Sequence, residues 1–201
     1  SLVGSEMCIR DSSDTRRNRR HHCVNICSRN VGRSRILRLN CPGASESSMS
    51  IQNLSRAIAD NTSNDAFALI LNVQQWDTLA GYLQPQDVNV GDVLIAQGAQ
   101  DRSVFFLESG ALSVHRVSSK EQMRLAVLAA GSVVGEGSFF SRQPHAANVV
   151  VTGAGRVWRL TTVRFSEMSN RQPNLALELT MALGAVIAKR MAHRSKRVAV
   201  T

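Results

Sequence analysis

The chain has 201 residues, with 24 Lys+Arg against 15 Asp+Glu and a formal net charge of +9, a balance that taken whole suggests a basic nucleic-acid binder. Counting by segment removes that reading: residues 1–48 hold nine Arg, no Lys and four acids, and residues 49–201 carry a net of only +4. All four cysteines (Cys8, Cys23, Cys27, Cys41) precede Met49 and all nine aromatic residues follow it, so the two parts are unlike and the second has no disulfide framework.

Arg and Ser fill 18 of the first 48 positions, and the apolar residues among them follow no period. No apolar run stands behind a basic start as a secretory signal requires. His21, His22, Cys23, Cys27 and Cys41 contain one Cys-x3-Cys and a lone third cysteine, without the second close pair of a structural zinc site. Arg16, Arg17, Arg19 and Arg20 offer a basic arm for nucleic acid as the other functional reading. The opening SLVGSEMCIRDS resembles a translated sequencing-adapter peptide. That resemblance implies that residues 1–48 are a spurious or disordered extension and that Met49 is the start, leaving a working domain of residues 49–201. Such a length suffices for one self-supporting core.

From Met49 the periodicity predicts helices over 51–60 (Ile51, Leu54, Ile58) and 64–72 (Phe67, Ile70, Leu71), the second capped by Asn64. Trp76, Leu79, Ala80 and Leu83 predict a third, short helix ending near Gly81, so that 49–83 is helical. The texture then becomes β-type to residue 160, with runs at 93–97, 103–108, 111–117, 123–128, 148–152 and 156–160. Turns are expected at Gly91-Asp92, Gly98, Ser109-Gly110, Ser118-Ser119-Lys120, Gly131 and Gly153-Ala154-Gly155. Short strands at this spacing predict an α+β fold: an antiparallel, jelly-roll-like β-roll with helices before it and a long helix after it. Thr161 or Thr162 is placed to cap a short helix through Met168, and Pro173 to open a longer one to about Arg197.

That last helix is apolar around most of its circumference (Leu175, Leu177, Leu179, Met181, Leu183, Val186, Ile187) and basic at its end (Lys189, Arg190, Arg194, Lys196, Arg197). Its apolar stretch is shorter than the ~20 residues a bilayer requires, so no membrane span is expected and the domain reads as cytoplasmic. An all-round apolar helix must be covered on two sides, by the roll and by a second copy, which predicts a homodimer. The alternative is a core helix whose basic end is a solvated tail.

The segment that carries chemistry is Gly131-Ser-Val-Val-Gly-Glu-Gly-Ser-Phe-Phe-Ser-Arg-Gln-Pro-His-Ala-Ala-Asn148. It resembles the phosphate-binding cassette of cyclic nucleotide-binding domains, as in catabolite activators and protein kinase regulatory subunits. Gly135 and Glu136 match the start of that cassette, and Pro144, Ala146 and Ala147 its end. Gly91–Gly98 and Val104–Gly110 are similar to the family's first strands, so the likeness covers about residues 64–195. The resemblance implies that Glu136 takes a ribose 2′-hydroxyl and that an arginine grips the cyclic phosphate. Here the arginine's position holds His145, which offers neither a fixed charge nor a planar fork. Gly137 departs from the usual larger apolar residue, and Arg142 is the nearest candidate in sequence for the missing charge.

The site expected is therefore Gly135, Glu136, Gly137, Ser138, Arg142, His145, Ala146 and Ala147, binding cAMP, cGMP or a related phosphate ligand. No catalytic residue, cofactor or metal is expected. His115 lacks the neighbouring histidine of a cupin metal site, Gly153-Ala-Gly155 is no dinucleotide motif, and neither a P-loop nor a Gly-x-Ser-x-Gly turn is present. Two functions follow: a non-enzymatic regulatory module that relays ligand through the last helix to an unidentified protein partner, or a ligand-independent interaction domain on the same fold. Catabolite-activator relatives read DNA through a helix-turn-helix after that helix; only a few residues follow Arg197, so no such readout is expected unless the chain is truncated at its C-terminal end.

Overall fold

The structure, a computed structural model, describes residues 46–118 and 122–198. The zinc, basic-arm and adapter readings of the N-terminal segment lie outside the described residues.

Helix α1 (Glu46–Asp60) starts upstream of Met49 and buries Ile51, Leu54 and Ile58, the stripe expected from the sequence. The helix expected over 64–72 does not form; after a turn at 64–65 the backbone to residue 72 is irregular. Phe67 and Leu69 are buried while Ile70 is 94% exposed. Alternate side chains therefore go inward, and no helical face exists. The capping residue is Asn72, not Asn64: its side chain accepts the Gln75 N–H at 2.8 Å and its own N–H donates to Gln75 Oε1 at 2.9 Å. This capping box opens α2 (Val73–Ala80), which ends at Gly81 as expected.

The strands are β1 (Gln84–Val88), β2 (Val93–Ile95), β3 (Ser103–Val117), β4 (Gln122–Ala129), β5 (Val133–Val134) and β6 (Asn148–Thr161). They form one antiparallel sheet in the order β1-β6-β3-β4, with β2 also on β6 and β5 on β3. Strand β1 lies outside the expected runs; its Pro85 lacks a ladder donor, which is tolerated because β1 is at the sheet edge. Two expected turns are also absent. Runs 103–108 and 111–117 are one strand, and so are 148–152 and 156–160. Ser109-Gly110 and Gly153-Ala154-Gly155 face each other at irregularities in the β3–β6 register. A Cβ on Gly155 would lie 2.1 Å from the Ser109 carbonyl oxygen, and one on Gly110, at φ +95°, 2.5 Å from that of Gly153. These glycines let two bent strands touch and do not reverse the chain.

Side chains alternate along the two long strands and build a core on each face of the sheet. Val104, Phe106, Trp158 and Leu160 pack with the helices; Phe105, Leu107, Val149, Val151 and Val157 fill the inside of the roll. After β6, Thr161 Oγ1 accepts the Arg164 N–H and caps α4 (Thr162–Arg171), which continues past Met168. Helix α5 (Pro173–Val198) turns Leu175, Leu179, Leu183 and Val186 into the first core and leaves Leu177 and Met181 exposed. Among the described residues no helix is long and apolar enough to cross a membrane.

The bend makes Gly155 the position least able to carry a side chain. Gly155→Ala should destabilise the fold by ~1–3 kcal/mol, read as a lower urea midpoint. Gly137→Ala, in the first turn of a short helix where a Cβ would meet nothing within 4 Å, should leave the urea midpoint nearly unchanged.

Candidate functional site

Strand β5 delivers the chain to Gly135 at φ +89°, where a Cβ would come within 2.3 Å of the Ser103 carbonyl oxygen. Glycine is therefore demanded here by the approach of β3 itself. Helix α3 (Glu136–Ser141) follows and is closed at Arg142, which adopts the left-handed conformation at φ 59° and donates its N–H to the Ser138 carbonyl. Phe139 anchors α3, packing edge-on against Phe165 of α4 with centroids 5.3 Å apart. The returning segment is fixed by backbone bonds in both directions: His145 N–H donates to Ala99 O at 2.9 Å and Gly98 N–H to His145 O at 2.8 Å.

Three of the expected site residues are buried together on this frame: Glu136, Ser138 and His145. Both ring nitrogens of His145 are occupied. Nδ1 lies 2.8 Å from Ser138 Oγ, and Nε2 lies 2.6 Å from the Asp101 carbonyl oxygen and 3.5 Å from its Oδ1. The imidazole is thus built into the cassette. Gly137 borders open space. Arg142 and Ala146 are exposed and Ala147 is half-buried, so the Arg142 side chain stands apart from the buried group.

Glu136 has a partner that sequence reasoning missed. Arg190 of α5 donates from NH1 to Glu136 Oε1 at 2.6 Å, from Nε to Asp65 Oδ2 at 2.7 Å and from NH2 to the Val133 carbonyl at 3.0 Å. One guanidinium joins the cassette, strand β5 and the loop before α2 to the terminal helix. Lys189 adds a bond to the Ala66 carbonyl at 2.9 Å. The reading of the helix end as a solvated tail therefore fails for Arg190, whose charge faces two carboxylates and a carbonyl more than fifty positions away; Lys189 is exposed but also reaches a distant carbonyl. Burial works against the charge on Arg190, yet Glu136 and Asp65 outweigh it and hold its pKa above the ordinary value. For Asp65 burial again opposes ionisation, but the hydrogen bond and charge of Arg190 bring its carboxyl below the usual range.

A second polar group adjoins the cassette. Arg159 of β6 donates to Ser103 Oγ at 2.9 Å, lies 3.8 Å from Asp101 Oδ2 and stands over the Phe105 ring. Asp101 thereby receives Arg159 on one side and His145 on the other.

Comparison with known proteins agrees with this architecture. Residues 85–172 match the family model described as cyclic nucleotide-binding domain. A cyclic nucleotide-binding domain from Methylobacillus flagellatus superposes with a TM-score of 0.66 at 15% identity, covering 76% of this chain and 84% of that one. The Thermus thermophilus catabolite activator protein gives 0.59 at 19% identity over 69% and 62% of the two chains. The regulatory domain of Toxoplasma gondii PKA, crystallised with cAMP, gives 0.51 at 21% identity over 62% and 46%. At these identities the likeness is one of fold. No curated protein matches the chain in sequence.

Within this cyclic nucleotide-binding fold, the Arg190 junction has two measurable consequences. Arg190→Ala leaves Glu136 buried beside a lost cation and should cost ~2–3 kcal/mol, below the ~3–5 of a fully buried pair because Arg190 is partly exposed. A double-mutant cycle with Glu136→Gln should return a coupling above ~0.5 kcal/mol. Asp65, with its lowered carboxyl, contributes stability that is complete above the ordinary carboxylate range and is lost as pH falls through its folded value. Urea midpoints measured from neutral pH into acid should therefore fall, and fall less steeply in Asp65→Asn.

Proposed function

We propose that the protein is a non-enzymatic regulatory module in which cAMP, cGMP or a related phosphate ligand enters the cassette 135–147 and acts on helix α5. The observation that carries this reading is the Glu136–Arg190 contact. In the family, the carboxylate at the Glu136 position takes the ribose hydroxyl; here an arginine of the terminal helix already holds it. A ligand hydroxyl that hydrogen-bonds Glu136 competes with Arg190, and so biases α5 by the difference between its affinities for the latched and unlatched states. Nothing further is needed to connect pocket and helix.

The partner most compatible with α5 is a second copy of the chain. Leu177, Met181, Gly184 and Ala188 lie on one exposed stripe at spacings of four, three and four residues. Two large apolar side chains followed by two small ones suit a helix packed closely against its own equivalent. Met181→Glu should convert a dimer to a monomer in sedimentation velocity with the thermal transition retained; a monomeric parent protein would remove this part of the reading.

A second reading rests on His145. With both nitrogens held internally, the cassette lacks the fork that grips a cyclic phosphate, and the roll then serves as a ligand-independent interaction domain. Calorimetric titration of the full chain with cAMP and cGMP separates the two. A missing charge-assisted contact of ~1.5–3 kcal/mol makes the native protein bind roughly 10- to 100-fold more weakly than His145→Arg. Heat in both proteins, with that ratio, is the expected result. Heat only in His145→Arg assigns the interaction-domain function, and heat in neither, with both folded, ends the nucleotide reading.

A further inference from the structure

We propose that anion binding in the cassette is coupled to uptake of one proton by His145, with Asp101 and Ser138 as positioning residues. This rests on the ligand-binding reading above and specifies its regulation.

The inference follows from hydrogen-bond roles at the imidazole. The Asp101 backbone carbonyl can only accept, so the hydrogen of a neutral His145 must sit on Nε2, 2.6 Å from that oxygen. Nδ1 is then an acceptor, and the 2.8 Å contact must be donated by the Ser138 hydroxyl. In this state the Ser138 hydrogen is directed at the ring, and only oxygen lone pairs remain for anything approaching from the cassette. Glu136 adds a carboxylate to the same cassette. The side chains of the neutral arrangement present acceptors, which suit an anion poorly.

One proton reverses the polarity. On a protonated ring Nδ1 donates to Ser138 Oγ, and the serine hydrogen is released to donate to an incoming phosphate oxygen. The Nε2 bond to Asp101 is unchanged. The positive charge lies on a ring that is 4% exposed, which is costly unless negative charge is near. Asp101, between β2 and β3, brings a carboxylate oxygen to 3.5 Å from Nε2; Arg159 of β6 stands 3.8 Å from the other oxygen and offsets part of it; Glu136, elsewhere in the cassette, is taken by Arg190. The local negative charge is thus shared, and a bound phosphate supplies the remainder. Anion and proton therefore favour each other's binding, and by linkage each raises the affinity for the other equally.

Because the bound state holds one more proton, affinity rises as pH falls, by up to ~10-fold per pH unit over the range in which the free ring is neutral and the bound ring is protonated. A cyclic phosphate diester keeps a single negative charge throughout this range, so the ligand adds no pH dependence of its own. The test is calorimetric titration of the full chain with cAMP at one pH in two buffers of different ionisation enthalpy, MES and Bis-Tris, and then across pH in one buffer. Expected are a buffer-dependent heat corresponding to uptake of one proton and the tenfold slope.

His145→Gln, whose amide can donate to Asp101 and accept from Ser138, should fold, bind weakly and show neither the heat difference nor the slope. His145→Arg should bind more tightly and also without a slope. Binding by the native protein with equal heats in both buffers overturns the coupling and leaves the ligand-binding reading intact. No binding at any pH overturns both.

Discussion

The arrangement of the whole domain turns on one guanidinium. Arg190 meets Glu136 of the cassette, Asp65 of the loop before α2 and the Val133 carbonyl of β5, and so ties three segments to α5 at once, with Lys189 adding a bond to the same loop at Ala66. An arginine suits this because its planar fork serves several acceptors at fixed angles, which a lysine ammonium cannot. Burial raises the stakes: the carboxylate of Glu136 is withdrawn from water by α3 and needs its partner, whereas the apolar contacts of α5 only require that the helix be near. Hydrophobic packing of Leu175, Leu179, Leu183 and Val186 keeps α5 on the sheet, and Arg190 sets its register against the cassette.

Much of this was legible in the sequence where the physics is local. The stripe of α1, the short α2, the proline at the head of α5 and the β character between 88 and 160 all follow from periodicity and turn chemistry within a few residues. The failures have one cause. Glycine was read as a reversal of the chain at Ser109-Gly110 and Gly153–Gly155, but there it serves a close approach between strands about forty-five residues apart, and no local pattern separates these uses. The lost helix at 64–72 is similar: Phe67, Ile70 and Leu71 have helical spacing, yet burial of Phe67 and Leu69 in the core with α2 and β3 residues fixes an irregular, non-helical path. Tertiary contact overrode a weak local preference.

The site divides the same way. The cassette was visible because its residues are contiguous, and the replacement of arginine by His145 could be read from position alone. Its consequences could not. Asp101 lies forty-four residues before His145, Arg190 fifty-four after Glu136, and the sequence signal for the latter was only a cluster of basic residues at a helix end. Gly135 illustrates a subtler point. Its left-handed backbone and its contact with Ser103 require glycine whether or not a ligand binds, so its presence speaks for the fold and leaves the ligand to Glu136 and His145.

Under the proposed function the closed state described here is what makes the module informative. Glu136, Ser138 and His145 are all buried and internally satisfied, so a ligand gains only the difference between its own hydrogen bonds and those it displaces. Affinity is lowered by that displacement, and α5 is loosened by the same free energy, since coupling between two sites is reciprocal. A cassette whose carboxylate was free would bind more tightly and report nothing to the helix. The weak grip implied by His145 and the standing contact of Arg190 are therefore two parts of one compromise: enough binding energy must remain after the latch is opened for occupancy to matter, and enough must be spent on the latch for the helix to respond.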